Sequence, residues 1–324
     1  MSDLLAPGYI VRHPEVADAA DVHAVIMASD VEEFGESEGY SFEEFEGEWT
    51  QRDLGHDVWV GVAPGGEIAG YGMIEDRRHV RQDVEIYIHP AHFGKGIGTT
   101  LVRLAEARAR EHLEHAPPGT RVVVNNWINA LNPEARSLLK REGYSPVRYF
   151  FRMEITFSEE PPSTSWPAEF TVRSVNPDED LRPSYETTQE AMADHWGHVA
   201  ISFEKWRERY TGATFDPSLW FLGRDDGEPA ATVACRISDG MGWIDTLAVR
   251  RPWRRRGLGY ALLTHGFREL YQRGTRRMAL GVDAESPTGA TRLYERAGMR
   301  IGQQYATYSK ELRPGIDLAE VDEP

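Results

Sequence analysis

The chain has 324 residues, 40% of them apolar and 27% charged, and a formal net charge of −16. That length suits two domains of about 150 residues better than one core. The acidic balance argues against nucleic acid as a partner. The absence of any apolar run near about 18 residues, or of a basic-then-apolar leader, argues against a membrane span or export and predicts a cytoplasmic protein. The single cysteine, Cys235, excludes an intrachain disulfide and lies in an apolar stretch that reads as a buried strand.

In chain order, the pattern predicts a strand over 10–12, a helix over about 18–28, and a hairpin of strands 58–62 and 68–73 around Pro64-Gly65-Gly66. A central strand over 83–88 then runs into a glycine loop, followed by a helix with apolar residues at Ile97, Leu101, Leu104 and Ala105. A strand over 121–124, a short helix ending at Gly143 and a strand over 149–155 complete the first half. Residues 158–167 have linker composition. The second half repeats the order, with strand 170–173, helix 181–193, hairpin strands 220–222 and 231–235, and a central strand over 243–249. A helix stopped by Gly274, a strand over 278–282, a short helix ending at Gly298 and a strand over 305–312 follow. From Pro314 the acidic tail is expected to fray.

The repetition is a duplication. Val11-Arg12 matches Val172-Arg173, Trp59 matches Trp220 and Gly66 matches Gly227, all at an offset of about 161. Beyond the glycine loop the offset slips to about 155, because the first copy carries roughly six extra residues near 115–120. The units expected from the repeat are 8–157 and 168–313, with linker 158–167 and tail 314–324.

In each copy the central strand feeds a glycine loop that opens a helix, a place where backbone N–H groups and the positive helix end converge on an anion. In the second copy the loop is Arg254-Arg-Arg-Gly-Leu-Gly259, with Gly257 and Gly259 permitting close approach and Arg254 able to add charge. A third glycine, a distal ribose carboxylate and a Walker lysine are all missing, so neither a Rossmann site nor a P-loop is read here. The arginines from Arg250 to Arg256 suit a small, heavily phosphorylated ligand.

This loop resembles the acetyl-CoA loop of the GNAT superfamily of N-acetyltransferases, Gln/Arg-x-x-Gly-x-Gly/Ala. The superfamily's later Leu-Tyr element before a glycine is similar to Leu293-Tyr294-Glu-Arg-Ala-Gly298. The tandem layout, with one intact and one worn copy, is similar to that of the mycothiol synthase-like members. The resemblance implies an α/β fold of two tandem GNAT domains. Each would have a mostly antiparallel sheet splayed at the CoA strand and flanked by helices, with transfer of an acetyl group from acetyl-CoA to a small primary amine in the C-terminal domain.

It further implies that Leu247, Ala248 and Val249 pair with the pantetheine arm. Arg254, Arg255, Arg256, Gly257, Leu258, Gly259 and Tyr260 would hold the pyrophosphate, Ser286 would contribute to the cofactor site, and Tyr294 would stand beside the sulfur. A weaker second cofactor site would comprise Ile86, Ile88, Gly94, Gly96 and Gly98. The reading without turnover is an acyl-CoA-binding sensor or partner-docking protein.

An amine of pKa about 10.4 is neutral in about one molecule in 2,500 at pH 7, a penalty of about 4.6 kcal/mol that a base or water relay helps offset. Asp245 is the favoured base, because strand alternation sets it on the face of Leu247 and Val249; His195 and water alone are the alternatives. The resemblance also implies His195 and Trp196 beside the acceptor, because the segment after the first helix overhangs the acceptor cleft in the superfamily. A leaving thiolate of pKa about 8.5 is less basic than a tyrosinate near 10, so donation by Tyr294 is uphill by about 2 kcal/mol.

In the first copy Phe93 replaces the arginine and Leu139 replaces the tyrosine, which predicts a scaffold without turnover. Glu85 reads as a vestigial base or as an arginine's partner. The glutamates between Glu32 and Glu48, interleaved with aromatics, read as an amphipathic helix with a solvated acidic face, ahead of a cation-attracting lip over an acceptor site. The pairs His89/His92 and His195/His198 lack supporting ligands, so no metal is expected. The internal pseudo-dimer predicts a monomer or a weak homodimer.

Overall fold

The computed structural model describes residues 4–36, 41–198, 200–211 and 215–318. The first half comprises β1 (Ile10–Arg12), α1 (Ala19–Phe34), α2 (Phe42–Trp49), β2 (Val58–Val62), β3 (Ile68–Arg77), β4 (Arg81–Ile88) and α3 (Ile97–Glu111), then β5 (Val122–Asn129), α4 (Pro133–Arg141) and β6 (Ser145–Thr156). The second comprises β7 (Phe170–Ser174), α5 (Leu181–Met192), α6 (Phe203–Tyr210), β8 (Trp220–Asp225), β9 (Glu228–Ser238), β10 (Met241–Val249) and α7 (Leu258–Gln272), then β11 (Arg277–Asp283), α8 (Ala290–Arg296) and β12 (Arg300–Arg313). No helix among the described residues is long and apolar enough to cross a membrane.

The compact units are not the contiguous blocks 8–157 and 168–313. One comprises 1–149 with 304–324, and the other 150–303. The last strand of each repeat completes the unit founded by the other. Within the first unit β12 runs antiparallel to β5, pairing Tyr305 with Asn129 and Lys310 with Val124. Within the second, β6 runs antiparallel to β11 from Arg277↔Thr156 to Asp283↔Phe150. Each exchanged strand carries core residues with it. Ala306 and Tyr308 lie in the apolar cluster of Leu101, Val124 and Leu139, and Met153 lies in that of Leu262, Phe267 and Leu280.

Elsewhere each unit follows the predicted order. In the first, β1 to β4 are successive antiparallel neighbours and β5 is parallel to β4. In the second, β7 to β10 are antiparallel neighbours and β11 is parallel to β10. Both parallel pairs are short. β4 meets β5 only from Arg81↔Val123 to Val84↔Asn126, and β10 meets β11 only from Met241↔Arg277 to Trp243↔Ala279, so each pair splays before the glycine loop.

α7 buries Leu258, Leu262, Leu263, Phe267 and Leu270 against Val233, Ile244 and Met278, and α3 does the same with Ile97, Leu101 and Ala105. The linker is anchored in the second unit, where Arg268 donates to the Pro161 carbonyl at 2.7 Å and pairs with Glu160 at 2.6 Å. The tail does not fray from Pro314. Arg121 N–H donates to the Ile316 carbonyl at 2.8 Å, Ile316 N–H to Gly119 at 2.9 Å, and Arg121 pairs with Asp317. Residues 319–324 of that tail lie outside the described residues. Of the acidic stretch 32–48, Glu32 to Phe34 end α1, residues 37–40 lie outside the described residues, and α2 is amphipathic with Phe45 and Trp49 buried.

Because β12 belongs to the first unit, Tyr308→Ala is expected to cost about 3–5 kcal/mol through the cavity it leaves. Hydrogen exchange is expected to accelerate in Val122–Asn129 and not in Arg277–Asp283. The reverse pattern would refute the exchange of closing strands.

Candidate active site

Three backbone features converge at the end of β10. The first is the splay: past Trp243 the β11-facing edge of β10 is unpaired. Arg250 N–H donates to Ala230 on the β9 side at 3.0 Å. Successive N–H groups of a strand point to opposite edges, so those of Val249 and Leu247 face the opening. The second is a turn of Arg251–Trp253 leading into a nest, in which Arg255 has φ 63° and Gly257 φ 83°. The third is the start of α7, whose first turn leaves N–H groups without helical acceptors. Among the described residues, the N–H groups of Arg255 to Tyr260 have no intramolecular acceptor, and the first bond of the helix is Ala261 N–H to Gly257 at 3.1 Å. A row of donors at a helix N-terminus, open above Gly257 where an added Cβ would meet nothing within 4 Å, is a seat for a di-anion.

The arginines are arranged differently from the sequence expectation. Arg254 does not offer its guanidinium to a ligand: Nε donates to the Val249 carbonyl at 3.0 Å, Nη1 to Asp194 at 2.7 Å and Nη2 to the Ala191 carbonyl at 3.1 Å. It is a strut between the loop and the end of α5. Arg250 pairs with Glu190 at 2.5 Å, Arg251 with Asp194, and Arg256 with Asp225 at 2.7 Å. Arg255 is exposed and has no partner among the described residues, so it is the loop cation free for a phosphate. Its left-handed backbone, unusual outside glycine, belongs to the nest.

Gly259 is where α7, α8 and β10 meet. An added Cβ would lie 3.2 Å from Leu293 Cδ1 and 3.9 Å from Val249 Cγ2. The next residue, Tyr294, is buried against this cluster, and burial pushes its phenol up to about 12. Ser286 sits in the turn after β11, with its N–H on the Asp283 carbonyl at 3.1 Å and its hydroxyl 2.9 Å from Thr288. Leu247 and Val249 pack on the α7-side cluster, while Ala248 is buried. Tyr260 lies under the Arg296 guanidinium.

Asp245 is not on the face of Leu247 and Val249. A bulge between Ile244 and Thr246 breaks the alternation, so that Ile244, Leu247 and Val249 share the α7-side cluster. Asp245 instead pairs with Arg236 at 3.0 Å, and that guanidinium also lies over Trp243. His195 follows α5, its N–H on the Met192 carbonyl at 2.8 Å. Burial holds its imidazole below the usual histidine range against the opposing pull of Asp283, with Arg254 lowering it further. Trp196 lies 6.3 Å, ring to ring, from Phe150 of β6. Cys235 is buried in β9, where burial pushes its thiol up, as a structural cysteine requires.

The first unit keeps the frame and loses the opening. Gly94 and Gly96 have φ 74° and 83°, matching Arg255 and Gly257. An added Cβ at Gly98 would lie 3.3 Å from Leu138 Cδ1 and 3.8 Å from Ile88 Cγ1, the contacts of Gly259 repeated. Leu139, at the position of Tyr294, is buried. His89 N–H donates to the Ala69 carbonyl, so Ile86 and Ile88 turn their N–H groups to the splay. The N-terminal segment lies over the seat, however. Ala6 N–H donates to the Lys95 carbonyl at 3.0 Å, and a side chain at Gly96 would collide with the backbone of Leu4. Phe93 is exposed and forms no strut like that of Arg254. Glu85 is exposed on β4. His89 and His92 serve the local structure, His89 accepting from Ala91 N–H and His92 bonding the Tyr9 hydroxyl at 2.9 Å.

A splayed parallel pair and a glycine loop at a helix N-terminus, built twice in one chain and joined in the second copy by the buried Tyr294 on α8, define two tandem domains of the N-acetyltransferase type. The model of the acetyltransferase (GNAT) family matches residues 21–144 and 179–299. The chain belongs to that family of acyltransferases. The mycothiol acetyltransferase of Thermomonospora curvata is 30% identical over 236 residues, 72% of this chain and 75% of the relative. That of Nocardiopsis dassonvillei is 26% identical over 271 residues, 75% of this chain and 79% of the relative. The solved GCN5-related N-acetyltransferase of Sphaerobacter thermophilus is 39% identical, with a TM-score of 0.85 over 98% of this chain and all of that one. A tandem GNAT protein from the clavulanic acid biosynthesis pathway, 15% identical, shares the fold over 95% of this chain and 99% of its own at a TM-score of 0.71.

Asp194 accepts from Arg251 and Arg254, which hold its carboxyl down to about 2. A carboxylate depressed in the folded state stabilises fully above its unfolded pKa of about 3.9, and that stability fades as pH falls toward 2. Asp194→Asn is expected to cost about 1–2 kcal/mol at pH 7 and to flatten the acid limb between pH about 4 and 2 in urea melts. An unchanged pH profile would mean the pair contributes nothing.

Proposed function

We propose that the chain transfers an acetyl group from acetyl-CoA to the primary amine of a small acceptor, with the chemistry in the second unit. The observation that carries this reading is the contrast between the two seats: Arg255 to Tyr260 present free N–H donors under open space, whereas Gly96 is covered by Leu4. The second unit also retains Tyr294 where the first has Leu139.

The nest and the Arg255 guanidinium would hold the pyrophosphate, and the Leu247 and Val249 N–H groups, aimed into the splay, would take the pantetheine amides and the acyl oxygen. Acetyl-CoA supplies an activated thioester. His195 is the favoured base, because burial keeps it neutral at pH 7 and Arg236 neutralises Asp245. Tyr294 is the proton donor to the departing sulfur. Its raised pKa makes that transfer costlier than for a free phenol, but the same apolar surroundings also raise the pKa of the thiolate, and only the difference enters the barrier. Trp196 and Phe150 form an apolar wall for the acceptor.

Acetyl transfer is measured against an amine panel headed by the mycothiol precursor, since the relatives carry that name, with aminoglycosides, polyamines and amino acids beside it. Tyr294→Phe is expected to lower kcat by about 10–100-fold with little change in the KM for acetyl-CoA. Arg255→Ala is expected to raise that KM about tenfold at unchanged kcat, whereas an equal effect on both would contradict a ground-state phosphate contact. The wild-type kcat/KM is expected to rise with pH through a pKa below 6.5, and His195→Gln to abolish that limb. Tight acetyl-CoA binding without transfer to any amine would favour a sensor instead.

A further inference from the structure

Three potential ligands converge in the first unit, at the end of its sheet away from the glycine loop. β4 begins there at Arg81 and ends at Ile88 beside the loop, and α3 runs back from Ile97 to Glu111. Asp76 and His79 belong to the β3–β4 hairpin, and His112 starts the turn His112–Glu114 that follows α3. Asp76 Oδ2 lies 2.7 Å from His79 Nδ1 and 3.8 Å from His112 Nδ1, and the two Nδ1 atoms are 3.1 Å apart. All the ligand atoms fall within 4.8 Å of one another. For comparison, ligands about 2.0–2.1 Å from one tetrahedral ion stand about 3.3 Å apart.

The surroundings hold this arrangement in place. Asp76 Oδ1 accepts from His79 N–H at 2.9 Å and from Gln82 Nε2, which leaves Oδ2 turned toward the imidazoles. Such outer contacts orient ligands. The hairpin turns through φ 56° at Arg78 and 59° at His79, as the second copy does at Asp239 and Gly240, and there the Asp76 carboxylate accepts from the His79 N–H. Beneath it Val80, Ala116 and Val122 form a small apolar cluster of their own, with Leu113 and Leu318 packed against it. The nearby cation Arg108 is paired with Asp57 and Glu111, each at 2.8 Å, which offsets its charge. The His115 ring stands 5.5 Å from that of His79.

The duplication provides an internal control. At the offset of about 161, Asp76, His79 and His112 correspond to Ile237, Gly240 and Arg273, and none of these is a metal ligand. The cluster is therefore no remnant of the shared acetyltransferase frame.

We propose that Asp76, His79 and His112 form a site for a divalent transition metal of the zinc class, which staples the β3–β4 hairpin to the longer loop particular to the first copy. Two imidazoles and a carboxylate match that ion's ligand preferences and leave a fourth position to water. Without metal, the 3.1 Å Nδ1···Nδ1 contact is a hydrogen bond in which one neutral ring donates its Nδ1 proton; the ion takes that place, and the donor ring gives up its Nδ1 proton and takes one at Nε2, so that both ligands stay neutral imidazoles. The inference does not depend on the reading of the acetyltransferase site, which is built from residues of the second unit.

The test is calorimetric titration of the untagged, chelator-stripped full chain with Zn2+, repeated on His112→Arg, which installs the residue of the second copy, and on Asp76→Asn. One equivalent is expected per chain, with affinity at least about tenfold weaker in each variant. Zn2+ is also expected to raise the Tm of the parent but not of His112→Arg. Should the variants fail to fold, Co2+ titration of the parent decides: intense visible bands saturating at one equivalent mark a low-coordinate N/O site, whereas weak bands typical of hydrated octahedral Co2+ overturn it. Failure of the parent to take up Zn2+ saturably, or uptake unchanged in both folded variants, likewise overturns the proposal.

Discussion

Everything at the glycine-loop end of the second unit depends on the parting of β10 from β11 after Trp243. While parallel strands stay paired, their N–H and C=O groups are spent on each other and no ligand can lie between them. Once they part, the N–H groups of Leu247 and Val249 are released on one edge, and a few residues on the nest adds those of Arg255 to Tyr260. The chain therefore leaves a line of donors that folding itself does not satisfy. The deficit is tolerable because these groups are open to solvent, and under the proposed function they would give an extended ligand with a phosphate head and an amide-bearing arm its purchase.

The arginines show how such a seat is kept open in an acidic protein. Four of them would repel each other if left bare, and each is held by a carboxylate, Glu190, Asp194 or Asp225. The strut from Arg254 to the Val249 carbonyl and the end of α5 fixes the loop relative to the strand that ends beside it. Rigidity of the loop and, under the proposed function, charge for the ligand thus fall to neighbouring residues, Arg254 and Arg255, that look interchangeable in the sequence. A guanidinium forks toward several acceptors at once, so its environment and not its identity decides which task it performs.

The sequence made the repeat, the order of elements and the glycine loops legible, because these rest on local signals: hydrophobic period, turn residues, and glycines where φ is positive. The match even reached side-chain level, with Gly98 and Gly259 meeting equivalent leucines. Long-range pairing was not legible. β6 and β12 have the same strand pattern whichever neighbour they choose, so their exchange is invisible until β5 and β11 are placed beside them. The face assigned to Asp245 failed for a related reason: alternation assumes an unbroken pleat, and a single bulged residue shifts every position past it. His79 and His112, far apart in the chain, show no ligand spacing at all, whereas the pairs that do, such as His89 and His92, turned out to serve local hydrogen bonds.

The two copies also show which parts of the frame are common to both. The first unit keeps the splay, the left-handed glycines and the close α3–α4 approach, since these are packing solutions whose loss would cost stability whether or not a ligand binds. It lacks the phenol, the arginine strut and the open seat, none of which its core requires. Leu4 to Ala6 cover donors that would otherwise wait for a phosphate, so the same unsatisfied N–H groups that define a binding site in one copy are screened by the chain's own backbone in the other. A seat closed in this way no longer constrains the residues around it. Its unit is then free to elaborate its far end, where the extra loop brings His112 to the hairpin of Asp76 and His79.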